Sequence, residues 1–167
     1  NHDLLTIVFR NDANVERLSL LQDRSKQWKL ILQWLKCVEN SDDFEIVSFK
    51  DGSCKITLKS TRDCIVAVGS LISFSLISYN TYLDIQIKQH ELNKIRASKK
   101  SIKEVPAEEL RLKEEELNEI SEHVAELFLD RYKHKVSEGS YDSCHSDISK
   151  ASKYLLKFID DGGEVEF

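Results

Sequence analysis

The sequence contains few of the residues that interrupt helices and strands: it has one proline (Pro106) and five glycines among 167 residues. Proline and glycine most often end helices and strands, so we expect mostly regular structure joined by short turns. Methionine is absent, even at position 1, which indicates a processed chain or part of a longer one. No charged and then apolar leader opens the chain, so export is not expected.

Motifs of common enzyme classes are also missing. The sequence contains no glycine-rich phosphate loop, no GxSxG elbow and no HExxH zinc motif. His134, Cys144 and His145 are candidate metal or nucleophile residues, but zinc requires three or four ligands at patterned spacings. We expect these residues to be inert, with Cys144 at the end of a loop over 137–144. The sequence therefore predicts no enzymatic activity, no metal and no cofactor.

Charge and cysteine content narrow the class further. The formal net charge is −5, which argues against general nucleic-acid binding because phosphate contacts need a basic surface. Cys37, Cys54, Cys64 and Cys144 are far apart and form no CxxC pair. We expect free thiols in a reducing cytoplasm, with two disulfides as the alternative.

The first third of the chain has a strand, helix and hairpin pattern. Leu4–Phe9 is a short apolar run typical of a strand, and residues 14–39 follow a helical pattern with an apolar stripe through Trp28, Ile31, Leu32, Leu35 and Val38.

Two further strand patterns then flank Asp51-Gly52, a pair that favours a two-residue type I′ turn. That turn would pair Phe49 with Cys54 and Val47 with Ile56. The expected core face of this hairpin consists of Val47, Phe49, Cys54, Ile56 and Leu58.

Two long helices are predicted next, over about 62–98 and 107–136. Residues 64–77 carry no charge, but this run is shorter than the roughly 20 residues that span a bilayer. We expect it to be a helix buried on most sides and not a membrane span, although a strand remains possible. The helix at 107–136 has an acidic back and an apolar stripe of Leu110, Leu117, Ile120, Val124, Leu127, Phe128 and Tyr132.

The connector between these helices is short, so they should form a long antiparallel hairpin of coiled-coil type that protrudes from the rest of the domain. A last helix should begin near Ser146 and end at Gly162-Gly163, before a possible strand at 164–167.

The sequence thus predicts an α+β fold with a small, mostly antiparallel β-α-β-β sheet packed on helices. We divide it into a βαββ module (1–62), the helical hairpin (62–136) and a C-terminal helix with a possible short strand (137–167), packed as one domain.

One resemblance rests on the tryptophan-bearing helix (Trp28, Trp34), the FEIVSF strand, Gly52-Ser53 and the CKITL strand. Residues 1–62 resemble ferredoxin-like adaptor modules related to the N-terminal domain of TRADD. The resemblance implies a non-catalytic domain that docks onto other proteins. It transfers no functional residue, and the long helical hairpin departs from the family pattern.

The tip of the helical hairpin is the predicted interaction site. Its apolar residues are Leu92, Ile95, Leu110 and Leu117, and its basic residues are Lys94, Arg96, Lys99 and Lys100. We expect a second copy of the chain, or another protein, to cover this tip, because large exposed apolar patches usually mark binding sites. The alternative is a regulatory or defence-related protein that contacts nucleic acid through the basic segment 88–103.

Overall fold

The computed structural model describes residues 2–10, 13, 15, 18–39, 44–50, 54–97 and 112–167. The order of elements is β1 (His2–Val8), α1 (Leu18–Trp34), β2 (Glu45–Lys50), β3 (Lys55–Thr61), α2 (Arg62–Ala97), α3 (Glu114–Tyr132), α4 (Tyr141–Asp160) and β4 (Glu164–Glu166). A turn of 3-10 helix at Leu35–Cys37 extends α1. The α+β fold expected from the sequence is confirmed.

The four strands form one antiparallel sheet in the order β2-β3-β1-β4. Because β3 lies between β1 and β2, the β1–α1–β2 segment is a split βαβ unit, the arrangement of ferredoxin-like sheets. The possible C-terminal strand is present as β4, which pairs Val165 with Ile7.

The two faces of the sheet differ in polarity. Leu5 pairs with Leu58 and Ile7 with Ile56, and these four side chains are buried in the core. On the other face the Thr6 and Thr57 hydroxyls hydrogen-bond at 3.0 Å. An antiparallel sheet with one packed and one wet face shows this alternation.

The β2–β3 register differs from the predicted one. Lys50 pairs with Lys55 and Phe49 with Ile56, so the connection spans residues 51–54 instead of two residues. The predicted pairing of Phe49 with Cys54 is therefore wrong. The Asp51-Gly52 pair on which that prediction depended lies outside the described residues.

A bulge in β2 changes the predicted core face. The register shifts between Ile46 and Ser48, so that Ile46 pairs with Leu58. A bulge adds one residue to one strand and moves the following side chains to the other face. Val47 lies at this irregularity and is 44% exposed, so its predicted pairing with Ile56 and its place in the core are both wrong.

The long helix α2 begins directly after β3, with Thr61 and Arg62 adjacent. Residues 64–77 are helical throughout, which excludes the strand alternative. One side of this half is buried against the sheet and the other helices, through Cys64, Ile65, Ala67, Val68, Leu71 and Ile72.

The helices α2 and α3 are antiparallel. Ser70, near the start of α2, is hydrogen-bonded at 3.1 Å to Tyr132 at the end of α3, and Tyr82, further along α2, contacts Glu116 near the start of α3. In contrast to the prediction, the pair does not protrude as a whole, because α4 packs along α3 and also contacts α1 and α2. The predicted helix at 107–136 is observed from Glu114 to Tyr132, and its predicted first residues lie outside the described part of the chain.

The last helix starts earlier than predicted, at Tyr141. Cys144 therefore lies in α4 and not in a loop, and it forms a disulfide with Cys37 across a Cα–Cα distance of 5.7 Å. The prediction of four free thiols is wrong for this pair, whereas Cys54 and Cys64 form no disulfide. The expectation of a cytoplasmic location loses the support it drew from free thiols.

Candidate interaction site

The surface of α2 carries many large apolar side chains. Those exposed along its length are Val66, Leu76, Ile77, Ile85, Ile87, Leu92 and Ile95. A helix with apolar residues on all sides is normally buried on all sides. Because α2 is buried on only part of its circumference, it is the element with the strongest features of a binding surface.

The predicted tip residues have different environments. Leu92 is 52% exposed and Ile95 68% exposed, and Lys94 is half-buried. Leu117 is only 5% exposed, so the prediction that it lies on an open surface is wrong. It belongs to the buried face of α3, against which other helices pack.

The other predicted tip residues cannot be placed on this surface. Arg96 lies within α2, but its side chain is not among those described. Leu110, Lys99 and Lys100 lie outside the described residues. Their part in an interaction stays a prediction.

Ile85 was not predicted from the sequence to belong to the exposed apolar face of α2. Ile85, Leu92 and Ile95 are spaced by seven and three residues, which places them on one face of α2 with Lys88 between them. The alternation of Leu83, Ile85 and Ile87 indicates that apolar side chains lie on more than one face of α2. Side chains two residues apart point away from each other on a helix, so one helical stripe cannot contain all three.

The exposed face of α3 is acidic. Glu115, Glu119, Glu122 and Glu126 are exposed and follow the spacing of a single helical stripe. None of these four carboxylates has an ion-pair partner among the described residues. This acidic stripe, like the apolar face around Leu92, is open to solvent.

The phenol of Tyr82 marks where α2 and α3 meet. Burial and a hydrogen bond to the Glu116 carboxylate raise the pKa of Tyr82 above its ordinary value. Gln86 donates a further hydrogen bond to the phenol oxygen at 2.8 Å. Glu116 also accepts a hydrogen bond from the backbone N–H of Lys113 at 2.8 Å, which caps the start of α3.

Two other charged pairs join elements of the fold. Lys153 of α4 pairs with Glu114 and lowers the pKa of that carboxyl group. Glu39 pairs with Lys135 and raises the pKa of that ammonium group. Both pairs hold neighbouring elements together, so their shifted pKa values have a structural explanation.

The candidate chemical residues do not assemble into a cluster. Cys144 is in the disulfide, and the His134 ring stacks against Tyr132 at 6.5 Å between centroids. Among the described residues, no group of three His, Cys, Asp or Glu side chains could hold a metal ion.

By length and composition, residues 62–95 of α2 could cross a membrane, and no other helix of the described chain meets that test. Within the protein, 44% of the qualifying window is buried.

No family model, curated protein or solved structure matches this chain. The resemblance of residues 1–62 to the TRADD-related modules therefore stays a prediction.

Proposed function

We propose that this chain is a non-enzymatic assembly module in which α2 binds a second copy of the chain. The observation that carries this proposal is the exposed apolar face formed by Ile85, Leu92 and Ile95. Apolar surface of this kind is favourable to remove from water, by roughly 25 cal/mol per Å².

The relative lengths of α2 and α3 support an interface at this place. Tyr82 lies beside Glu116, close to the start of α3 at Glu114. From Tyr82, α2 continues to Ala97. The described part of α3 therefore accompanies α2 only as far as the region of Tyr82, and the apolar face lies beyond it.

Charge complementarity favours a second copy as the occupant. Segment 88–103 contains a single acidic residue, Glu91, against the basic residues Lys88, Lys94, Arg96, Lys99, Lys100 and Lys103. The exposed stripe of α3 is acidic. In a two-fold dimer, the basic segment of each copy can face the acidic stripe of the other, and the same contact occurs twice.

Sedimentation velocity at micromolar concentrations tests the association. We expect the wild type to dimerise and Ile85→Glu/Leu92→Glu to remain a folded monomer, because two buried charges would oppose the apolar contact. The matched control is Leu4→Glu/Leu20→Glu, which adds the same charges at exposed apolar positions on the sheet and α1. It should dimerise like the wild type.

A charge-reversal pair tests the orientation. Lys88→Glu/Lys94→Glu and Glu119→Lys/Glu122→Lys should each weaken self-association, and an equimolar mixture should recover a heterodimer because opposite charges face each other again. A monomeric wild type would contradict the proposal. Salt-dependent retention of such a monomer on DNA or RNA would instead favour the nucleic-acid alternative.

A further inference from the structure

An open groove lies between α1 and the inner face of the sheet. Its volume is about 740 Å³, which falls within the range of roughly 300–1,000 Å³ typical of small-molecule sites. Its deepest lining consists of buried core side chains, such as Trp28, Ile56 and Leu58. Its accessible apolar side chains are Leu32, Phe44 and Ile46.

The position of α1 explains why the groove is open on the β2 side. Arg24 of α1 pairs with Asp161 at 2.9 Å, and the Trp34 ring stacks on Tyr154 of α4 with centroids 5.6 Å apart. These contacts hold α1 against α4. Ile46 faces the same side of the sheet as Leu58, yet it is 65% exposed, so β2 lacks the helical cover that buries β1 and β3.

The polar lining of the groove comes from α1 and has one sign of charge. Ser25, Lys29, Gln33 and Lys36 are spaced by four, four and three residues, which places them along one stripe of the helix. The described lining contains no acidic residue. Neither Lys29 nor Lys36 forms an ion pair with a described carboxylate.

A buried donor belongs to the same wall. The Nε1–H group of Trp28 has no hydrogen-bond acceptor in the part of the chain that the structure describes, and Trp28 is only 4% exposed. A buried donor without an acceptor is unfavourable and uncommon in folded proteins. Because Trp28 lines the groove, its fluorescence can report on a bound ligand.

We propose that the groove binds a free long-chain monocarboxylate. The hydrocarbon chain lies on the accessible apolar side chains of the groove, Leu32, Phe44 and Ile46. The carboxylate pairs with the lysines of the α1 stripe, Lys29 and Lys36. A single anionic head on an apolar chain matches an apolar floor with cations on one wall. A peptide fits less well, because its backbone N–H and C=O groups would lie on a floor without polar partners.

Titration with dodecanoate below its micelle concentration tests this proposal. Calorimetry on the wild type should show saturable binding of one ligand per chain. In a Trp34→Phe background, the fluorescence of Trp28 alone should change with the same saturation. Dodecanol, which has the same chain without the charge, should bind more weakly.

Lys29→Glu/Lys36→Glu should weaken dodecanoate binding by about tenfold or more, since two attractive charges become repulsive. Lys29→Arg/Lys36→Arg should retain it. The matched control is Lys26→Glu/Lys150→Glu, which changes two exposed lysines outside the groove and should bind as the wild type does. Circular dichroism confirms that each variant is folded.

Any of the following results would overturn the proposal. The first is the absence of saturable dodecanoate binding to the folded wild type. The second is equal affinity for dodecanol and dodecanoate, or an equal loss of binding in the control variant. The third is binding of an acidic amphipathic peptide in the groove without any binding of dodecanoate.

Discussion

The ring of Phe158 holds together the aromatic part of the core. It meets Phe9 edge-on at 5.7 Å and Trp28 edge-on at 5.2 Å between ring centroids. After α4 the chain turns and passes close to this ring. Gly162 adopts a positive φ of 88° in the turn, and the N–H of Gly163 donates a hydrogen bond of 2.9 Å to the backbone carbonyl of Phe158. Only a residue without a side chain fits at Gly163.

Gly163→Ala should therefore destabilise the fold by about 1–3 kcal/mol, the usual cost of forcing an extra carbon into a packed core. The new Cβ would overlap the Phe158 ring, which cannot move without disturbing its own aromatic neighbours. Urea unfolding measures the change. Gly139→Ala is the control, because a Cβ at Gly139 meets nothing within 4 Å. Equal stability of both variants would contradict the close approach.

The phenol of Tyr82 should ionise at higher pH than an ordinary tyrosine. Burial is the main cause and the Glu116 carboxylate adds to it. Because the folded-state pKa lies above the unfolded value of about 10, this group favours folding below pH 10, and that contribution is lost as the pH rises further. The absorbance of phenolate, compared between wild type and Tyr82→Phe, isolates its titration.

Glu116→Gln should lower the pKa of Tyr82 while leaving it above the ordinary value, since burial persists. Glutamine also keeps the cap at the start of α3. An unchanged Tyr82 titration in this variant would show that the carboxylate does not contact the phenol.

At the level of helices and strands, the sequence predicted the structure well where the apolar residues follow one clear helical period. The stripe of Trp28 and Ile31 in α1 and Leu35 in the 3-10 turn after it is buried as predicted, and α2 ends one residue from its predicted end. The register of β2 was not predictable, because a bulge leaves the apolar composition of a strand unchanged. The start of α4 was missed because Gly139 and the polar residues after it resemble a loop.

The disulfide between Cys37 and Cys144 fastens the end of α1 to the first turns of α4. The two cysteines are 107 residues apart, so only the packing of α4 against α1 brings them together, and no local pattern could predict the pair. A crosslink that closes so long a loop restricts the unfolded chain and typically adds about 2–4 kcal/mol of stability.

Thiol titration of denatured protein without reductant should therefore give two thiols instead of four. Dithiothreitol should lower the melting temperature of the wild type. It should leave that of Cys37→Ser/Cys144→Ser unchanged, because this variant lacks the bond. Four titratable thiols in the wild type would contradict the disulfide and restore the original expectation.

At the level of the whole molecule, the extent of the candidate site could be predicted only in part. Leu92 and Ile95 were recognised from their place near the end of a long helix, and both are exposed. The burial of Leu117 could not be predicted, because it depends on how the helices assemble around α3. The groove beside α1 was missed for a related reason: in the sequence, Leu32, Phe44 and Ile46 resemble ordinary core residues. Only the position of α1 against α4 leaves them partly uncovered.

The packing of the helices within one chain divides α2 into two parts with different expected dynamics. The half around Val68 and Leu71 is fully packed in the core, whereas the half around Leu92 is exposed in the single chain and is covered by a second copy in the proposed dimer. Local opening exposes backbone amides to exchange, and the free energy that this opening requires is higher where side chains are more fully packed. Amide hydrogen exchange should therefore be slow for residues 64–75 at every protein concentration.

For residues 85–95, exchange should be faster in dilute protein and should slow as concentration rises, because association covers this part of α2. The middle of α4, around Ala151 and Leu155, is the internal control, since both residues are fully buried within the chain and their exchange should not depend on concentration. The variant Ile85→Glu/Leu92→Glu should exchange rapidly over 85–95 under all conditions. Slow exchange there in dilute wild-type protein would mean that the chain itself covers this face, and the homotypic assembly proposed for α2 would then be wrong.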